Sequence, residues 1–245
     1  MSKTKDVPTY VCINCGQKVK ELFKKYSNTV KTVNCEKCHH IADKYIEFEP
    51  VIILVDSMLL SQQAYRHALF NRDFKLFWKL SLMLLLLESF TLWREKREQS
   101  HDDISQSILV NEHGFYLCCG QNICDYLLST LLLLLASIAL RKNMIFNMGL
   151  KSFGFVLLKA NVLANFSKFF LLPIILWREN TTDFGAALHR TLVMGHHLFS
   201  LIFVYVVVTR FRVLQAALIV LPVYIIKEFI MQNLSVYMEE QFSES

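Results

Sequence analysis

Two close cysteine pairs constrain this chain more than any other feature. Cys12, Cys15, Cys35 and Cys38 are spaced C-x2-C-x19-C-x2-C within the first forty residues. Each C-x2-C unit forms a tight knuckle, and two knuckles bring four sulfurs to the corners of a tetrahedron. Four thiolates in that geometry suit Zn²⁺, and a site filled entirely by protein is structural rather than catalytic. Gly16 follows the first pair, where a knuckle needs a residue able to turn sharply. The competing chemistry is two disulfides or a redox dithiol. The segment before Cys12 is polar, with no apolar leader, and no βαβ pattern surrounds the pairs, so a reduced, cytosol-facing zinc ribbon is expected over residues 1–50. Such a unit buries too little apolar surface to fold without its metal.

Local patterning fills in the ribbon. Lys18 to Lys31 is polar and basic, with Leu22, Phe23 and Tyr26 as the packing residues. Asp43 to Glu49 alternates polar with apolar in part, as a short half-buried strand does. Residues 1–50 hold nine lysines, no arginine and six acidic side chains. Four thiolates with Zn²⁺ remove two more positive charges, leaving too weak a field for phosphate binding, and no nucleic-acid partner is expected.

Beyond the ribbon the composition changes class. The whole chain is 53% hydrophobic and only 19% charged, which over 245 residues calls for several bilayer spans of about 20 apolar residues each. About five transmembrane helices are expected within 74–231: Phe74 to Trp93, Phe115 to Leu140, Phe153 to Trp177, Thr191 to Val208 and Val213 to Met231. Helices are the spanning form, because backbone polar groups cannot go unpaired in lipid. Residues 232–245 form an acidic C-terminal tail. Between ribbon and membrane, 51–73 reads as an amphipathic juxtamembrane helix with Leu54, Met58, Ala64 or Tyr65, and Leu69 roughly on one stripe.

Loop charge sets the orientation. Arg66, Arg72, Lys75, Lys79, Arg141, Lys142, Lys151, Arg210 and Arg212 fall on the ribbon's side of the membrane. Arg94, Lys96, Arg97, Arg178 and Arg190 fall opposite. The excess places the N-terminus in the cytosol, which agrees with the reducing compartment the thiolates need.

Polar residues inside spans are the place to look for function. Asn161, Asn165 and Lys168 recur at helical spacing in the third span and share a face. The stripe would line a path for a lipid headgroup, or its asparagines would bond neighbouring helices. Glu88 reads as snorkelling toward the interface, and His196 and His197 as packing or interface residues. Cys118, Cys119 and Cys124 read as small buried side chains or, on the lumenal side, as candidates for a disulfide. No paired carboxylates, phosphate-cradling glycine loop or Ser-His-Asp set is legible, so no enzyme is expected.

The knuckles, Val55-Asp56, Ala64-Tyr65-Arg66-His67 and Phe70-Asn71-Arg72 together resemble the homology domain of the ARV family (ACAT-related protein required for viability), over about residues 9 to 73. The family's cysteines map onto Cys12, Cys15, Cys35 and Cys38. The resemblance implies a multi-pass protein of the endoplasmic reticulum, with the Golgi as a second location. It implies a role in sterol uptake, trafficking and homeostasis and in sphingolipid balance. An alternative is an accessory or scaffold subunit, or an intermediate flippase, for early glycosylphosphatidylinositol anchor synthesis. The implied partners are membrane lipids, sterol or a glycolipid intermediate, and glycosyltransferase subunits of that pathway. The overall expectation is a small zinc ribbon plus amphipathic helix, followed by an all-α membrane bundle.

Overall fold

The computed structural model describes residues 10–26, 29–99, 112–171 and 182–243. The chain divides into two compact units, Met1–Phe74 and Lys75–Ser245.

In the first unit, β1 (Tyr10–Val11) pairs antiparallel with β2 (Lys18–Val19), and β3 (Phe23–Tyr26) with β4 (Thr29–Thr32). The two hairpins are tied by backbone bonds from Val33 N–H to the Leu22 carbonyl, Ala42 N–H to Val33, and Ile13 N–H to Ala42. Leu22 is buried as expected, while Phe23 is exposed. The segment expected to be a strand at Asp43–Glu49 is instead a 3-10 turn over Lys44–Glu47. Asp43 caps it, its carboxylate accepting from Tyr45 N–H at 2.9 Å. An N-cap acid offers the backbone an alternative to strand pairing, and here that local bond wins.

The helical segment expected over 51–73 is present in three pieces: α1 (Pro50–Met58), α2 (Gln62–Arg66) and a π turn over His67–Asn71. Pro50 starts α1, where its missing N–H costs nothing. Leu60 in the left-handed region (φ 63°) breaks the chain, and Ser61 caps α2 through Ala64 N–H. The break turns α2 back onto the knuckles, so Ala64, Tyr65, His67, Ala68 and Leu69 are buried against the ribbon's own core.

The second unit is helical: α3 (Lys75–Gln99), α4 (Glu112–Met148), α5 (Leu150–Asn165), α6 (Asp183–Thr209) and α7 (Val213–Ser243). Four stretches are long and apolar enough to cross a membrane: Lys75–Arg97, His113–Leu140, Ala187–Thr209 and Val213–Met238. Their outward surfaces are apolar, with Leu82, Met83, Leu131, Leu135, Leu218 and Phe229 all exposed. The interior instead collects Ser89, Asn122, Ser137 and Asn161. Polar groups inside and leucines outside is the arrangement a lipid solvent imposes.

The third expected span, Phe153 to Trp177, is helical only to Asn165 and continues as a 3-10 segment over Phe166–Leu171. Residues 172–177 and Arg178 lie outside the described residues. Helix α7 runs antiparallel to α6 across the three-residue link 210–212. It also runs antiparallel to α4, since Gln121 meets Ser235 and Asp125 meets Lys227. Helices α4 and α6 are therefore parallel. Asn161 of α5 meets Tyr126 and Thr130 of α4, and Lys168 of the 3-10 segment meets Glu88 of α3.

Candidate metal centre and a polar cavity in the helical unit

The two knuckles are built alike. Cys12 N–H donates to Gln17 and Gly16 N–H to Cys12, while Cys35 N–H donates to His40 and His39 N–H to Cys35, all at 2.8–2.9 Å. The fourth residue after each leading cysteine is left-handed: Gly16 at φ 73° and His39 at φ 59°. A repeated loop of amide donors points two pairs of sulfurs at one locus.

All four Sγ atoms lie within 4.8 Å of one another, with Cys12–Cys38 and Cys15–Cys35 each at 3.7 Å. A metal–sulfur distance of about 2.3 Å in a tetrahedron sets the sulfurs about 3.8 Å apart, so the donor set fits a four-coordinate thiophilic ion. Cys12 and Cys35 are buried. Burial pushes the Cys12 thiol up to about 12. At Cys35 burial is outweighed by the amides of Cys38 and Lys37 and by the neighbouring sulfurs, which hold it at about 7. Four sulfurs at this spacing can act together as thiolate ligands to one metal ion.

The helical segment after the ribbon supplies the support. Arg66 Nη1 donates to the carbonyls of Ile13 and Asn14 at 2.7 and 2.9 Å, inside the first knuckle. Gln63 donates to the Asn14 side chain. Fully buried Asp43 gathers Tyr45 N–H, His67 Nδ1 at 2.7 Å and Asn71 Nδ2 at 2.6 Å. The motif residues Arg66, His67 and Asn71 are thus the struts of the cysteine centre.

In the helical unit the expected stripe divides. Asn161 donates to the Tyr126 carbonyl and to Thr130 Oγ1, both at 3.1 Å, and Asn165 folds back onto Asn161. Both asparagines are buried and hold helices together. Lys168 alone turns to a cavity, and it pairs there with Glu88. Glu88 therefore does not snorkel: the pairing holds it inside the bundle.

That cavity, of about 330 Å³, is lined from α3, α4, α6, α7 and the 3-10 segment. Each of the four spans brings an ionisable group from near its middle: Glu88, Asp125, His197 and Lys227. Lys227 binds Asp125 at 2.7 Å and Glu228 at 2.9 Å. His197 packs with its Nδ1 3.2 Å from the Ala164 carbonyl and also lines the space. Gln121, Asn122 and Ser235 complete a polar wall, with Lys96 donating to Gln121 and Ser235. From mid-span the space extends toward Lys96, Arg190 and Ser235, where α3 and α7 end and α6 begins.

Sequence reasoning missed Asp125, Lys227 and Glu228. Their signal was present, since each is an ionisable residue inside an apolar span, but the partners lie about a hundred residues apart.

A family model described as the Arv1-like family matches residues 11–201. Relatives include "Protein ARV1" of Homo sapiens, 29% identical over 202 residues, covering 76% of this chain and 68% of that protein. "Protein ARV1" of Bos taurus is 31% identical over 191 residues, covering 76% and 66%. "Protein ARV 2" of Arabidopsis thaliana is 38% identical over 106 residues, covering 40% and 46%. No solved structure matches the chain. The match spans both the cysteine centre and most of the membrane bundle, and the chain belongs to the Arv1-like family.

Proposed function

We propose that this protein is a non-enzymatic mediator of lipid homeostasis in the endoplasmic reticulum membrane, acting in the uptake, trafficking and distribution of sterol. Family membership over residues 11–201 carries this reading. The bundle supports it, because it is apolar outside and keeps a polar cavity at mid-depth. Zn²⁺ is the ion proposed for Cys12, Cys15, Cys35 and Cys38, with a structural role: all four coordination positions are cysteine, and none is left for substrate. The N-terminal unit faces the cytosol in this reading, where thiolates stay reduced.

Acute depletion followed by lipid profiling tests the function. Free sterol should redistribute between endoplasmic reticulum and plasma membrane before any glycosylphosphatidylinositol intermediate accumulates. An early intermediate rising first would overturn the sterol reading.

One observation favours the second reading, an accessory subunit or intermediate flippase for glycosylphosphatidylinositol synthesis. The cavity presents three carboxylates and several amide groups, far more polar contacts than the single hydroxyl of a sterol can use. Membrane lipids and glycosyltransferase subunits are the proposed partners. Co-isolation of the tagged protein with those subunits, lost when the cysteine centre is removed, would favour the second reading over the first.

A further inference from the structure

The cavity between α3, α4, α6 and α7 has features that helix packing alone does not explain. A charged side chain at the centre of a span is costly and rare unless a partner or a water-filled space receives it. Ion pairing offsets that cost, yet paired helices ordinarily close to crystal-like density. Here a space of about 330 Å³ stays between the pairs, within the roughly 300–1,000 Å³ range of small-ligand sites.

The chemistry of the walls narrows the ligand. Lys168 is matched by Glu88, Lys227 by Asp125 and Glu228, and Arg190 by Glu95. Lys96 donates to Gln121 and Ser235. A phosphate at Lys168, Lys227 or Arg190 would have to break one of these ion pairs and leave a carboxylate unmatched in low dielectric, and at Lys96 it would have to displace the hydrogen bonds to Gln121 and Ser235. An added ammonium would compete with the lysines for the same acids. One acceptor remains: Glu88 Oε2 is buried with no hydrogen-bond partner among the described residues. Carboxylate and amide oxygens that are charge-balanced but still able to accept call for hydroxyl donors. Leu92, Val193, Met194 and Met231 line the same space and suit the apolar part of an amphiphile.

We propose that this cavity, built around Glu88, Lys168, Asp125 and Lys227, binds the uncharged, hydroxyl-rich headgroup of a membrane lipid. The inference rests on the lipid-handling reading above and adds the chemical class of the ligand.

The test uses the full chain in phosphatidylcholine nanodiscs doped with equal amounts of monohexosyl diacylglycerol, phosphatidylethanolamine and phosphatidic acid. Native mass spectrometry reads the retained lipid. The monohexosyl lipid should be enriched at least fivefold over phosphatidylcholine. Val193→Phe, which fills the space and leaves every ion pair intact, should abolish the enrichment without changing the melting temperature. Glu88→Gln replaces the free acceptor with a donor and should lower it at least threefold. Equal retention of all lipids, enrichment of the amine or the acid lipid instead, or unchanged enrichment in both variants would each overturn the proposal. Displacement by free methyl hexoside at the same concentration would overturn the lipid source and assign the site to a soluble polyol. Sterol redistribution on depletion is read separately. If it occurs while no lipid is enriched, this inference falls and the homeostasis reading stands.

Discussion

Asn71 and Val11, sixty residues apart, hold each other by both backbone groups: Val11 N–H donates to Asn71 Oδ1 and Asn71 Nδ2 donates to the Val11 carbonyl, each at 2.8 Å. The pair fastens the π turn to the strand leading into Cys12. The same Nδ2 donates to buried Asp43, so one amide serves three groups. Replacing Asn71 by Leu strands both Val11 groups, while Asp43 keeps His67 and Tyr45, and should cost about 2–6 kcal/mol, at about 1–3 kcal/mol per buried group left unpaired. Thermal unfolding of the purified protein, with metal content measured alongside, checks this. A shift no larger than that of a surface substitution would refute it.

Arg66 grips the first knuckle through one nitrogen that bonds two carbonyls. Lysine keeps the charge but not the planar fork. Supports behind metal ligands are typically worth 10–100-fold in affinity, so Arg66→Lys should weaken Zn²⁺ retention by about tenfold. Competition with a chelator of known affinity reads this directly. Cys12→Ser should go further and deplete the protein, because it removes a ligand rather than a strut.

The second knuckle carries His39 in the left-handed region at φ 59°, where the first has Gly16. A left-handed backbone costs a non-glycine residue about 1–2 kcal/mol, and glycine returns about 0.5–1 kcal/mol of that as unfolded-state entropy. His39→Gly should therefore stabilise the unit by up to about 1 kcal/mol. A lowered melting temperature in the metal-loaded protein would contradict it.

Tyr45 donates its hydroxyl to Asp56 at 2.7 Å. Burial, with the Asp56 carboxylate beside it, pushes the Tyr45 phenol up to about 12. Its folded value lies above its unfolded one, so its contribution is fully present below about pH 10 and is lost as pH rises through 12. Tyr45→Phe should cost about 1.5–3 kcal/mol, the range for a bond to a charged group, and should flatten the alkaline limb of stability between pH 10 and 12. Denaturant unfolding at pH 8 and pH 11 measures both effects.

Lys168 and Glu88 tie the 3-10 segment to α3. Lys168→Leu leaves a carboxylate uncompensated inside the bundle, which should cost about 3–5 kcal/mol. The double variant Glu88→Leu, Lys168→Leu should recover most of that. Failure of the double variant to recover, by thermal aggregation in detergent, would show that the pair does more than cancel charge.

The sequence alone determined the cysteine cluster, the family and the apolar spans of the second unit. Cysteine spacing acts over a single turn of backbone, and hydropathy acts over one helix, so each is complete within a short window. The family motif around Arg66, His67 and Asn71 was legible, but its purpose was not. Only the fold shows that Leu60 breaks the expected helix and turns those side chains back onto the knuckles. The same limit applied to the asparagine stripe. Helical spacing placed Asn161, Asn165 and Lys168 on one face, while neighbouring helices decided that two of them bond helices and one meets Glu88. The pairing of Asp125 with Lys227 depends on which helices become neighbours. That choice belongs to tertiary structure, because in lipid a buried charge is stable only where a partner from another helix meets it.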